Sequence, residues 1–327
     1  MTVVEPYTAR SRMTRANAGT RVVLKPRDLE IFKLLNRYRY LRSTFIHAFV
    51  GGKLNRFKER MGHLYHEGGF VNRPEQQWQF YNARYMPAIY ENTGIAEELL
   101  EERGLLGPQT TWLLRGRMGA HRQFAHSLMI CDILASIELG IRETGNLRFI
   151  GWQEILARAP EATRNLQNPF SIPVNISHTF ANGKTHSAKT AIIPDALFGI
   201  EYATAGKTTY RWFAVEADRK TMPVFRSNVH ETSFLKKILS YRDIRHGELY
   251  KSHFGISNLM VLTVTTNETH MNSIKELVGK ITGGSKMFCF RTMPSLGDMA
   301  KAPAPTPEML TGPWSRVGHP DFFIDKE

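Results

Sequence analysis

Two acids 21 positions apart have the clearest capacity for chemistry. Asp195 lies in "IIPDALFGIEY" and Glu216 in "WFAVEADRK". Both stretches are rich in β-branched and aromatic residues and read as strands, Thr190 to Tyr202 and Thr209 to Asp218, joined into a hairpin by the turn "ATAGK". Side chains alternate along a strand, so Glu216, Asp218 and Lys220 are expected on one face. Hard carboxylate oxygens suit Mg²⁺ or Mn²⁺, which lowers the pKa of water and takes up charge on a phosphate during hydrolysis. The bland alternative is that Asp195 caps a turn after Pro194 and that Glu216, Asp218, Arg219 and Lys220 form a charged strand end.

A PD followed by ExD at this separation resembles the core of the PD-(D/E)xK nucleases. That resemblance implies that the carboxylates meet at the open end of the hairpin and hold a divalent ion, Mg²⁺ or Mn²⁺, while a lysine orients or activates water. It assigns metal ligation to Asp195, Glu216 and Asp218. Asp218 occupies the position where the pattern has lysine. Two replacements are available: Lys220 at the next position on the same face, or a lysine of "SFLKKILSYRD", where Lys236 and Lys237 point about 100° apart on a helix. Lys237 is favoured, because Leu235, Ile238 and Leu239 define a buried face that need not include Lys236. Glu138, on a preceding helix, is an additional acid to consider.

These residues need a scaffold. Beyond a turn-rich connection at Gly104 to Gly107, Gly119 to Thr144 has the apolar spacing of a long amphipathic helix. Leu147 to Trp152 follows, then an Asn/Pro-containing irregular segment to about Ser177 and the hairpin. Glu231 to Tyr250 reads as helix, Asn258 to Thr266 as buried strand, Thr269 to Ile281 as helix and Met287 to Arg291 as a last strand. The order α, β, β, β, α, β, α, β predicts an α/β (α+β) domain with a mixed sheet between helices, over residues 105–294. Residues 295–327, with five prolines from Pro303 to Pro320, are expected to wrap the surface or stay disordered.

Charge is concentrated at the other end of the chain. The whole sequence carries +13, of which residues 1–60 contribute +10, a footprint suited to a phosphate backbone. Residues 1–24 lack periodicity and are expected to be a basic flexible arm. From Pro26 the pattern is helical, with further helices at Ser43 to Val50 and Asn55 to His66. Strands are expected at Phe70 to Pro74, Trp78 to Tyr81 and Ala88 to Tyr90. "LYHEGGFVNRP" and "PAIYENTGIAEELL" resemble the recognition-helix exit and wing of winged helix-turn-helix proteins, giving a domain over residues 25–104. In such a domain Arg56, Lys58 and Arg60 would reach double-stranded DNA in the major groove.

The 42% hydrophobic content excludes a chain disordered throughout. Two cysteines, an N-terminus without an apolar core and the absence of an 18-residue apolar run point to a reducing, cytoplasmic setting without a membrane. The remaining constellations have structural readings: His121 and His126, His178 and His186, the Gly283-Gly284 turn, and Tyr241 and Tyr250 as packed helix aromatics rather than nucleophiles. Taken together, the winged helix, "AHRQFAHSLMICDILASIELG", "IPDALFGI", "FAVEADRKTMP" and "FLKKILSYRDI" resemble the replication-relaxation family of plasmids, phages and mobile elements, over most of residues 25–285. Membership implies DNA nicking or processing by metal-dependent phosphodiester hydrolysis and leaves a homodimer open. The alternative is a non-catalytic transcription or replication regulator on a degenerate nuclease fold.

Overall fold

Apolar residues at helical spacing in Pro26–Tyr38 (α1) bury Ile31, Phe32, Leu34, Leu35 and Tyr38. Ser43–Val50 (α2) adds Phe45 and Ile46, and Leu54–His66 (α3) adds Phe57, Met61, Leu64 and Tyr65. The structure, a computed structural model, describes residues 10–16, 21–79, 82–106, 121–204, 206–296 and 302–327. It divides into two units, Met1–Leu106 with Met299–Ala304, and Gly107–Asp298 with Pro305–Glu327.

In the first unit, the three helices are joined by a three-stranded antiparallel sheet. Its strands are Leu41–Arg42 (β1), Val71–Asn72 (β2) and Ile89–Asn92 (β3), with β3 central. Gly94–Glu102 (α4) follows. The strand expected at Trp78 is not formed: Glu75–Gln79 is a 3₁₀ turn, and Phe80 and Tyr81 lie outside the described residues. The reason lies in Gln77, whose buried side-chain amide accepts from Ile89 N–H and donates to the Ile89 and Pro74 carbonyls. A side chain thus supplies the hydrogen bonds that a further strand would make.

The arm also departs from expectation over its described residues 10–16. Arg10 pairs with Glu67, Arg12 donates to the Arg84 and Met86 carbonyls, and Arg15 donates to the Val71 carbonyl from above the Tyr65 ring. Arg73, only 9% exposed, donates to the Arg12 carbonyl from a position within 4.2 Å of the Tyr65 centroid. Arginine side chains tie this stretch to the folded unit where no apolar periodicity announces it.

The second unit is built on a seven-stranded mixed sheet. Its elements in chain order are His121–Arg142 (α5), Leu147–Ile150 (β4), Trp152–Arg158 (α6), Glu161–Arg164 (α7), Ile172–Thr179 (β5), Thr185–Ile192 (β6), Ala196–Thr204 (β7), Lys207–Asp218 (β8), Phe234–His246 (α8), Leu249–Phe254 (α9), Met260–Thr265 (β9), Glu268–Thr282 (α10) and Phe288–Thr292 (β10). The sheet order is β12-β11-β10-β9-β8-β7-β4, where β11 (Pro313–Arg316) and β12 (His319–Phe323) follow the short helix Glu308–Thr311 (α11). The β4, β7 and β8 strands are antiparallel neighbours, and β8, β9 and β10 run parallel. The fold class is the expected mixed α/β. Helix α5, although apolar enough to cross a membrane by composition, is a core helix, with 72% of its apolar window buried.

Two segments correct the expectation. The end of the stretch read as irregular forms β5, which pairs with β6 in a separate two-stranded sheet and sends Ile172, Val174 and Ile176 into the main core, while the strand expected from Thr190 to Tyr202 is divided between the end of β6 at Ile192 and β7 from Ala196. The proline-containing tail is part of the fold: β11 and β12 extend the sheet, and Trp314, Phe322 and Ile324 are buried against Phe213, Val215 and Leu262. Its prolines sit in the connections and at strand starts, which an edge hairpin tolerates.

Candidate active site

The β7–β8 hairpin determines which acids can meet. Its register sets Ala196 opposite Val215, and the Asp195 N–H donates to the Val215 carbonyl at 3.1 Å, which places Asp195 beside Glu216 at the open end. Gly199 keeps the hairpin tight, since a Cβ there would lie 2.5 Å from the Trp212 ring. Asp195 Oδ2 accepts from the Ala217 N–H at 2.9 Å, so its carboxylate is tied to the neighbouring strand rather than capping its own turn.

A helix supplies the cation. Ser233 caps α8 by accepting from the Lys236 N–H, and the helix packs Leu235, Ile238, Leu239 and Tyr241 into the core. Lys237 then points at the acids: its ammonium donates to Glu216 Oε2 and lies 3.8 Å from Asp195 Oδ2. Lys236 points elsewhere, to the His230 carbonyl. Tyr241, one turn after Lys237 and fully buried, donates to Glu216 Oε1 at 2.5 Å. From α5, His126 Nε2 lies 3.3 Å from Asp195 Oδ1 with about a third of its side chain exposed.

The electrostatics follow from burial opposed by these partners. Burial pushes the Glu216 carboxyl up to about 7; Lys237 opposes this and Asp195 adds to it. Burial acts upward on Asp195 as well, but Lys237 and His126 outweigh it and hold the carboxyl below its ordinary value. Burial disfavours the Lys237 ammonium, yet Glu216 and Asp195 raise it well above the usual lysine range. His126 is likewise raised, because its contact with Asp195 overcomes burial. Burial, reinforced by Glu216, keeps the Tyr241 phenol protonated.

Not every expected residue is brought here. Asp218 shares the face of Glu216, but its Oδ1 accepts from the Thr221 and Met222 N–H groups and its Oδ2 is 2.5 Å from His270 Nε2 on α10. It fastens the turn after β8 instead of joining Asp195. Lys220 is exposed beyond the end of β8, with a left-handed φ of 62°, so the regular strand face it needs has already ended. Glu138 pairs with Arg142 and lies twelve residues along α5 from His126, about 18 Å of helix. Among the described residues no group of three His, Cys, Asp or Glu side chains is arranged to hold a metal. In the sequence His126 and Tyr241 read as packing residues, and no local pattern distinguishes a histidine or tyrosine that packs from one that meets the carboxylate of a distant segment.

In the first unit, α3 presents Arg56 and Lys58 to solvent, whereas Arg60 is engaged. Its guanidinium donates to both oxygens of Asp28 (2.9 and 2.5 Å) and to the Val23 carbonyl. Asp28 is 1% exposed and also accepts from the Lys25 N–H at the start of α1, so Arg60 joins α3 to α1 and is not a free basic side chain like the other two.

A family model described as replication-relaxation matches residues 32–259, a span that contains α2, α3 and the Asp195, Glu216 and Lys237 cluster. The chain belongs to the replication-relaxation family. Membership gives this replication-relaxation protein a role in plasmid or mobile-element replication or relaxation, and with it a nucleic-acid partner in general. No curated protein and no solved structure matches it.

Proposed function

We propose that this replication-relaxation protein binds duplex DNA through α3 and cleaves a phosphodiester bond at Asp195, Glu216 and Lys237 with Mg²⁺ or Mn²⁺. The observation that carries the reading is the Lys237 ammonium lying between the Asp195 and Glu216 carboxylates at the open end of a hairpin. The order α5, β4, β7, β8, α8, β9 supports a restriction-endonuclease-like domain, with the lysine supplied by α8 rather than by the strand. Three helices with β1, β2 and β3 likewise support a winged helix in the first unit.

Two adjacent carboxylates fit a hard divalent cation that keeps several waters, and the lysine already marks a place where positive charge is favoured between them. Bound there, the ion would supply Lewis-acid stabilisation of charge on the phosphate. Asp195 and Glu216 would hold it. Lys237 would neutralise charge on the phosphate oxygens, and Tyr241 holds Glu216 in the orientation that faces Asp195. The second reading, a regulator that keeps this fold as a scaffold, is favoured by the fact that each oxygen of the two carboxylates already has a protein partner.

Supercoiled plasmid incubated with the full chain and Mg²⁺ or Mn²⁺ separates the readings. Relaxation that is lost in Asp195→Ala supports cleavage. Retarded plasmid without any strand break supports the regulator.

A further inference from the structure

The second unit has another feature, at the opposite end of β8. Arg211 precedes Glu216 by five residues, about 17 Å along an extended strand, and alternation puts it on the other face of the sheet. It borders an open cavity of about 700 Å³, in the size range of small-ligand sites, that is also lined by Arg245, Lys286 and Arg316. The Arg211 guanidinium lies 5.0 Å from the Phe322 centroid and 5.6 Å from that of Tyr202. Arg316 lies 5.7 Å from the same Phe322 ring and is anchored by donating Nε–H to the Pro320 carbonyl at 2.7 Å. Both guanidiniums therefore flank one phenyl ring.

What they lack is a direct ion pair. Among the described residues, none of Arg211, Arg245, Lys286 and Arg316 makes an ion pair, although three acids, Glu248, Asp321 and Glu327, line the same cavity. Glu248 is paired with Lys251 at 2.7 Å and Glu327 with Lys207 at 3.8 Å. With none of these acids in direct ion-pair contact with them, the cations remain available to an anion, and planar guanidinium forks fixed on aromatic rings are preorganised for phosphate oxygens. Asn258 is held by the Trp212 N–H and the Tyr210 carbonyl and stiffens the wall.

We propose that this cavity is a second binding site, for a phosphoester anion, in which Arg211 and Arg316 take the phosphate and Arg245 and Lys286 draw it in from the rim. A free nucleotide and a strand of nucleic acid present this same group. The site is independent of the cleavage reading, because it shares no residue with the carboxylate pair.

The test uses the full chain carrying Arg56→Ala and Lys58→Ala, so that α3 does not mask the result. Binding of dAMP is followed by calorimetry and binding of a fluorescein-labelled oligo(dT) by anisotropy, at moderate salt. Arg245→Glu with Lys286→Glu, and separately Arg316→Gln, should each weaken binding of at least one probe tenfold or more. The control Lys184→Glu with Lys189→Glu, of equal charge change on the β5–β6 hairpin, should weaken it less than threefold. Loss of dAMP binding identifies a free nucleotide as the ligand, and loss confined to the oligonucleotide identifies a strand. No binding of either probe, unchanged binding in both cavity variants, or an equal loss in the control overturns the proposal.

Discussion

The Lys237 ammonium on α8 donates to the Glu216 carboxylate on β8 and also lies 3.8 Å from Asp195, so a single helix residue is shared by two acids brought together by the hairpin. Tyr241, one turn later on the same helix, takes the other Glu216 oxygen. Helix α8 and the hairpin are thus locked in one relative position by the groups proposed to react.

Removing that cation should expose its structural contribution. Lys237→Met leaves the buried Glu216 carboxylate facing the part-buried Asp195, and urea unfolding at pH 8 should register a loss of about 3–5 kcal/mol. The loss should shrink at pH 5, where Glu216 takes a proton. Lys236→Ala, which gives up only a bond to a backbone carbonyl, should stay within about 1 kcal/mol of wild type.

The pH dependence has a defined sign. Burial, with the charge of Asp195, lifts Glu216 from its ordinary 4.5 to about 7, so between these values the folded chain binds a proton that the unfolded chain has released. The resulting stability is complete below pH 4.5 and is lost as pH rises through 7. Denaturant midpoints measured in EDTA should fall across this window in wild type relative to Glu216→Gln, which has no such proton to lose.

Asp218 and Lys220 should behave as parts of a turn. Asp218→Ala removes the acceptor of two backbone N–H groups and the partner of His270, and should cost about 1–3 kcal/mol in thermal or urea unfolding. Calorimetric Mn²⁺ binding should survive it and disappear in Asp195→Asn. Lys220→Gly should raise stability by up to about 1 kcal/mol, because φ of 62° costs a side-chain-bearing residue what glycine avoids.

The three basic residues of α3 should separate in DNA binding. Arg56→Ala with Lys58→Ala should weaken duplex binding with an unchanged thermal midpoint and flatten the slope of log K against log salt by about 2, as two phosphate contacts are lost. Arg60→Ala should instead lower the midpoint, since it leaves Asp28 charged and buried without its partner, a loss of about 3–5 kcal/mol.

The tail should be indispensable to folding. Trp314 is fully buried and donates its indole N–H to the Met309 carbonyl, so Trp314→Ala should cost about 3–5 kcal/mol, read by chemical denaturation.

Periodicity within short stretches was enough to specify much of this molecule. The apolar stripes of α1, α3 and α5 and the strands of the β7–β8 hairpin are written locally, and the turn "ATAGK" fixes a register that returns Asp195 to Glu216. Contacts between distant elements were settled only in three dimensions. Lys236 and Lys237 are neighbours of equal chemistry, and the packing of Leu235, Ile238 and Leu239 against the sheet decides that Lys237 is the one turned to the acids. Asp218 obeys the alternation that placed it beside Glu216, yet His270, 52 residues on, and its own following turn claim both oxygens. Arg60 reads as exposed on a helical wheel until Asp28 of α1 is set against it, and Trp314 reads as tail until β10 offers an edge to pair with. The physical reason is common to all four: backbone hydrogen bonding imposes a local period, while the partner of a side chain depends on which segments the folded core brings within a few ångströms of it.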